Sequence, residues 1–308
     1  MRSELTIDKG YSIVFRDGGL SEKDYFLAGI KSDSRCSYYE CMLYKRDQLL
    51  VEIQVALNSD GVAQSLPKTP FGGIWIHHIV NSEVFSDFLK SILSFVKEKG
   101  GTELIITQAS CLYSPHSDTV QYFLQKEGFE LVHAQNHHFF EGKKKLKAEQ
   151  KLLSAKYNKK LKENGLKVSV GNIQSFNFLN EIKAWNQSRG YKISFDENQL
   201  ISQVSAFPER YFVISVIQGV DYIGHALAVK LTSKSIYYFL SAINPKTKVK
   251  LAGELIMVNL IKLAVEQKAS FVDFGSSEVE GVPNHSLIFF KSKFSNCTRN
   301  KYTWKRQL

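Results

Sequence analysis

Short runs in which apolar and polar residues alternate set the element order. Residues 38–45 (YYECMLYK) and 49–57 (LLVEIQVAL) read as two strands joined at Arg46, Asp47 and Gln48, a hairpin. Phe85, Phe88, Leu89, Ile92, Leu93 and Val96 recur at the spacing of a helix with one buried face, and Gly100-Gly101 stop it. The spacing then predicts a strand at ELIIT, a helix at TVQYFLQKEGF and a strand at ELVHAQNHHFFE. After a lysine-rich stretch come a strand (LKVSVG), a helix over 175–188 and another helix near Leu200 to Val204. YFVISVIQ, GHALAVKL and SIYYFLSAI follow as a three-strand meander. A helix over 254–267, an apolar strand FVDFG, a short helix in HSLIFFKSKF and a last strand TRNKYTWKR close the chain.

The order helix, strand, helix, strand therefore occurs twice, each time after β-hairpin material, which is the mark of a duplicated domain. We expect an N-terminal domain over 1–141, a basic helical linker over 142–165 and a C-terminal domain over 166–308. A chain of 308 residues with 44% hydrophobic and 23% charged residues has enough apolar material for two cores. The linker carries nine lysines and reads as a solvated helix or helical hairpin bridging the halves.

The net charge of +10 favours acidic partners such as nucleotides, coenzyme A phosphates, RNA or anionic lipid surfaces. Cys36, Cys41, Cys111 and Cys297 are scattered with no Cys-x-x-Cys pair, which suggests neither a zinc site nor a disulfide framework and fits a reducing cytoplasm. The N-terminal stretch lacks the pattern of a secretion signal. The most apolar helix is interrupted by Glu254, Asn259 and Lys262, so we expect no transmembrane segment and a cytoplasmic protein. His77-His78 and His137-His138 invite a metal reading, but neighbours on a strand point to opposite faces, and we expect no metal. Gly18-Gly19 and Gly72-Gly73 lack a third glycine opening a helix, so no dinucleotide fingerprint is present. No Gly-x-Ser-x-Gly elbow occurs, which argues against a serine hydrolase.

Most of the candidate chemistry lies in residues 271–294, FVDFGSSEVEGVPNHSLIFFKSKF. Asp273 falls inside an apolar strand, where an unpaired carboxylate is costly. Lys291 is the nearest cation in sequence that could fold back over the turn to pair with it. The alternative is that Asp273 serves the turn by receiving backbone N–H groups from Ser276 and Ser277.

The stretches YYFLSAINPKTKVKLAGELIMVNLIKLAVEQ, FVDFGSS and FFKSKF resemble the FemAB-like family of the GNAT acyltransferase superfamily, and KYNKKLKENGLKV is similar to the basic segment that opens its second domain. The resemblance implies an α/β (α+β) fold of two tandem GNAT-like domains, each a mixed sheet flanked by helices. It implies transfer of an acyl or aminoacyl group from an activated carrier, acyl-CoA or aminoacyl-tRNA, to an amine acceptor. By the same resemblance, Lys291 stabilises the oxyanion or a donor phosphate and Asp273 positions it. The turn with Lys246, Lys248, Lys250 and Gly253 cradles the donor phosphate at a helix N-terminus. Leu251 stands where the coenzyme A signature of GNAT enzymes wants a glycine, which leaves acyl-CoA and aminoacyl-tRNA both open as donors. The acceptor is expected between the domains, with Gly72, Gly73 and Trp75 facing Tyr237 and Tyr238. The competing reading is a non-catalytic GNAT-like protein that holds RNA or another polyanion through its basic linker.

Overall fold

The computed structural model describes residues 2–7, 10–18, 23–31, 33–191 and 195–308. Gly19 and part of the polar stretch ahead of the helix at Leu200 lie outside the described residues. Two compact units emerge, 1–135 with 299–308, and 136–298.

The first unit is a mixed sheet with helices. Its elements are β1 (Arg2–Ile7), β2 (Tyr11–Asp17), β3 (Ser37–Lys45), β4 (Gln48–Leu57), β5 (Val62–Gln64), β6 (Ile74–Ile76), α1 (Ser82–Glu98), β7 (Glu103–Gln108), α2 (Ser117–Lys126) and the start of β8 (Glu130–Glu141). The sheet runs β1-β2-β3-β4-β5-β7, with β6 paired to β4. Among the described residues, β5 and β7 form a parallel pair, as expected where a helix lies in the crossover. Helix α1 begins at Asn81, whose side chain caps the Glu83 N–H, and it buries Phe85, Phe88, Leu89 and Ile92. These pack in one core with Ile13, Leu43, Ile53 and Leu104.

The second unit repeats the plan. After the end of β8 come α3 (Lys143–Glu163), β9 (Leu166–Asn172), α4 (Asn177–Gln187), α5 (Glu197–Ala206), β10 (Tyr211–Gln218), β11 (Asp221–Thr232), β12 (Ser235–Ile243), α6 (Ala252–Glu266) and β13 (Phe271–Ser276). A two-stranded ribbon of β14 (Glu278–Val279) and β15 (Val282–Pro283), then α7 (His285–Ser292) and β16 (Cys297–Gln307), complete the chain. The sheet runs β8-β13-β12-β11-β10-β9, with β12 and β13 parallel around α6. Helix α6 is buried nearly all round, so sheet on one side and helix on another must cover it.

Two features differ from the expected domain boundaries. First, the strands that end the two halves are exchanged: β16 pairs with β7 of the first unit (Trp304 opposite Ile106), and β8 pairs with β13 of the second (Asp273 opposite Phe139). The divisions therefore fall after 135 and after 298. Second, the lysine-rich segment is one helix of the second unit and not a bridge. Leu146, Leu153 and Tyr157 share one face of α3 and are buried in the core that contains α6. The Tyr157 hydroxyl donates to Glu254 Oε2 at 2.9 Å.

Candidate functional site

The site is built where β13 loses its regular pairing. The parallel ladder with β12 covers Ser235–Phe271, Ile236–Val272 and Tyr237–Asp273. On the other side, Asp273 faces Phe139, but the next partners are Ser276 and His137, so β13 carries one residue more than β8. That residue makes a bulge, and Gly275 sits in it with φ of +72°. An added Cβ there would meet the Tyr238 carbonyl oxygen at an ordinary 3.4 Å, so it is the torsion that favours glycine.

The bulge controls the buried charges. Phe139 and His137 lie on one face of β8, so the imidazole reaches diagonally to the carboxylate opposite Phe139. His137 Nδ1 is 3.0 Å from Asp273 Oδ1 and 3.3 Å from Oδ2, and the Gly275 N–H donates to Oδ1 at 2.7 Å. Asp273 is 1% exposed and His137 3%, so these contacts replace the hydration the carboxylate loses. The expected partner was Lys291, and the expected turn donors were Ser276 and Ser277. The structure supplies His137 and the Gly275 N–H.

Lys291 comes from the last turn of α7, whose first turn is capped by Asn284 receiving the Leu287 N–H. Phe290 and Phe294 flank it and touch each other at 5.5 Å, anchoring this end of the helix in the core. The ammonium is buried and donates to the carbonyls of Ser276 at 2.5 Å and Gly275 at 3.3 Å, 6.0 Å from the centre of the Tyr238 ring. Burial lowers its pKa to about 8, opposed by the negative charge of Asp273. The neighbouring His138 is also held below its ordinary value, first by burial, then by Lys291 and His137. Burial pushes the Tyr238 hydroxyl up to about 12 against a hydrogen bond with Ser241, and pushes Tyr237 higher still with help from Asp273. Both phenols are neutral donors near pH 7.

Three polar atoms beside the bulge have no hydrogen-bond partner among the described residues: His137 Nε2, His138 Nδ1 and Ser277 Oγ. All three residues are at most 3% exposed. The sequence pattern placed Asp273 and Lys291 near one turn, but it missed His137. The pair His137-His138 was weighed only as a chelate, and the link to Asp273 spans 136 positions of chain. Among the described residues, no group of three or more His, Cys, Asp or Glu is placed to hold a metal ion.

The other candidate residues divide between the units. Lys246, Lys248 and Lys250 are exposed on the turn ahead of α6, a turn closed by Asn244 capping the Lys246 N–H and Thr247 capping the Val249 N–H. No side chain caps α6 at Leu251, while Glu254 adds a carboxylate to its first turn. Gly253 lies against the ring of Phe290, where a Cβ would meet Cζ at 3.4 Å, so the start of α6 and the helix of Lys291 touch. In the first unit, a Cβ on Gly72 would stand 2.6 Å from the Ser65 carbonyl oxygen. One on Gly73, at φ of +83°, would stand 2.5 Å from Gln108 Oε1. Close packing thus accounts for both glycines. Trp75 joins a ring cluster with Tyr25 and Phe71.

No protein-family model matches the sequence, and no curated protein matches it. Solved structures do. The crystal structure of FemX superposes with a TM-score of 0.62 at 13% identity, covering 89% of this chain and 88% of that one. L-PGS from Bacillus licheniformis gives 0.55 at 15% identity, covering 94% and 88%. A tandem GNAT protein from the clavulanic acid biosynthesis pathway gives 0.53 at 10% identity, covering 92% and 87%. With the repeated helix and parallel-strand plan of its two units, the chain has the FemAB-like, tandem-GNAT fold.

Proposed function

We propose that the protein is an N-acyltransferase that moves an acetyl, other acyl or aminoacyl group from an activated carrier to an amine, by direct attack in the second unit. The observation that carries this reading is Lys291: a buried ammonium, held by two carbonyls at a strand bulge, within reach of the charge of Asp273. A cation there can receive the negative charge that develops on the acyl oxygen, and its partial desolvation strengthens that interaction. The tyrosines of β12 supply neutral donors beside it. The donor's phosphate lies at the turn with Lys246, Lys248 and Lys250 and at the uncapped start of α6 around Gly253. Glu254 makes that start less favourable for an anion than a bare helix terminus, which keeps aminoacyl-tRNA as a donor beside acyl-CoA. Tyr237 and Tyr238 contribute to acceptor binding, whereas Gly72 and Gly73 serve the packing of the first unit and Trp75 its ring cluster. The acceptor is a cell-envelope precursor or an amino sugar, met in the cytoplasm, a location that four free cysteines suit.

The test is transfer from acetyl-CoA and, separately, from a mixed pool of aminoacyl-tRNAs to a panel of amines and amino sugars, followed by mass spectrometry. Lys291→Ala should lower the rate about 10²–10³-fold with folding intact, the scale for losing one oxyanion donor. Wild-type turnover with neither donor would sink the reading. A second reading rests on α3, where eight of nine lysines are exposed: a non-catalytic polyanion binder. Salt-sensitive RNA binding without any transfer would select it.

A further inference from the structure

Helix α3 concentrates the charge of the molecule, and the transfer chemistry leaves it unused. Its 21 residues carry nine lysines against Glu149 and Glu163, so this one helix supplies seven of the chain's ten net positive charges. Its rotation is fixed from within, because Leu146, Leu153 and Tyr157 are buried and the Tyr157 hydroxyl is bonded to Glu254. At about 100° per residue, the direction opposite those three carries Lys144, Lys151, Lys159 and Lys162, all exposed, with Leu152 beside them at 67% exposure. From Lys144 to Lys162 the stripe spans about 27 Å at 1.5 Å per residue. Neither acid interrupts it. Glu149 falls on the core-side flank, half-buried, and Glu163 closes the last turn 3.7 Å from Lys159. The helix has no arginine and its one aromatic ring is buried, so it lacks the side chains that fork onto and stack against nucleic acid. What it offers is a straight row of ammonium groups around one leucine, an edge that meets a plane along its whole length.

We infer that α3 docks the protein on an anionic lipid membrane, its outward lysines meeting the lipid phosphates and Leu152 entering the apolar layer beneath them. This goes beyond the transfer reading and stands whether or not transfer occurs. It also gives α3 a different partner from the RNA of the second reading. The helix is folded and packed before it meets the surface, so docking does not carry the ordering cost that a disordered basic tail would. A single leucine buries little apolar area, so charge supplies most of the attraction and the docking is reversible. Salt shortens the reach of each ammonium and releases the protein.

The test is co-sedimentation of the full chain with vesicles of an equal mixture of phosphatidylglycerol and phosphatidylcholine, at low and at physiological salt. The wild type should bind these vesicles, more tightly at low salt, and should leave vesicles of pure phosphatidylcholine unbound. A variant combining Lys144→Gln, Lys151→Gln, Lys159→Gln and Lys162→Gln should bind about 10²–10³-fold more weakly, from about five-fold per lysine near an anionic surface. Its salt dependence should flatten as well. Exposed substitutions barely move stability, and urea unfolding of the variant checks that its fold is intact. Leu152→Trp keeps every lysine and reads depth: its emission should move to the blue on adding the mixed vesicles, relative to wild type. Titration with an RNA duplex at the same salt runs alongside. Wild type that stays in solution with the mixed vesicles, a four-lysine variant that binds as wild type does, or an unmoved Leu152→Trp emission overturns the docking. Tighter binding of the RNA than of the vesicles through the same lysines overturns it too, and returns α3 to the RNA reading.

Discussion

At the scale of single residues, the molecule keeps a cation where cations are expensive. Lys291 folds with its pKa lowered from 10.5 to about 8, chiefly by burial. Below about pH 8 both the folded and unfolded states hold the proton, and the full cost of burying the charge is present. Between about 8 and 10.5 the unfolded state binds more protons than the folded one, so stability rises with pH across that window. Relative to Lys291→Met, the wild type should gain on the order of 2–3 kcal/mol between pH 7.5 and pH 10.5, from about 1.4 kcal/mol per unit. Urea unfolding of both proteins at the two pH values measures it, and a constant difference would mean the ammonium is not desolvated. The same titration has a catalytic counterpart. The group that receives oxyanion charge is lost above about pH 8, so transfer should fall there while the fold becomes more secure.

Secondary-structure elements show how far local pattern reaches. The hairpin of β3 and β4, the meander of β10 to β12 and the amphipathic α1 follow from residue spacing, because each signals itself within a few neighbours. The FVDFG strand and the Phe-Lys helix were legible for the same reason, and so were Asp273 and Lys291. His137 was not. Its partner across the ladder is set by which strand arrives beside β13, and nothing within β8 announces that. Helix α3 was misjudged because its nine lysines dominate its composition, while only Leu146, Leu153 and Tyr157 decide where it rests. Those three make it a packed element, and they can be tested against the lysines. Leu153→Ala should cost about 2–5 kcal/mol in urea unfolding, the scale for truncating a core leucine. Replacing Lys144, Lys151 and Lys159 together by Gln should change stability by only about 0.5 kcal/mol or less per site. Equal effects from both would show that α3 is a solvated spacer after all.

For the whole molecule, the exchanged strands decide what can exist alone. Residues 1–141 hold the first repeat as the sequence counts it, yet β7 then lacks β16, and Leu104 and Ile106 lose the strand on that edge. Residues 1–141 expressed alone should therefore show no cooperative thermal transition by circular dichroism. Residues 1–135 joined by a flexible Gly/Ser linker to 299–308 should show one, and the opposite result would mean that the C-terminal strand is dispensable to the first unit. The exchange also bears on how the chain leaves the ribosome. The first unit emerges early, but its last strand is made only after the whole of 136–298. At about 5–20 residues per second this interval lasts roughly 8–30 s. Throughout it, β7 presents an open, apolar edge to every other strand being synthesised nearby, the kind of edge that invites wrong pairing. Duplication with exchanged ends thus transfers risk from the finished protein to the nascent one, and yield in a cell will depend on how well that edge is shielded during translation.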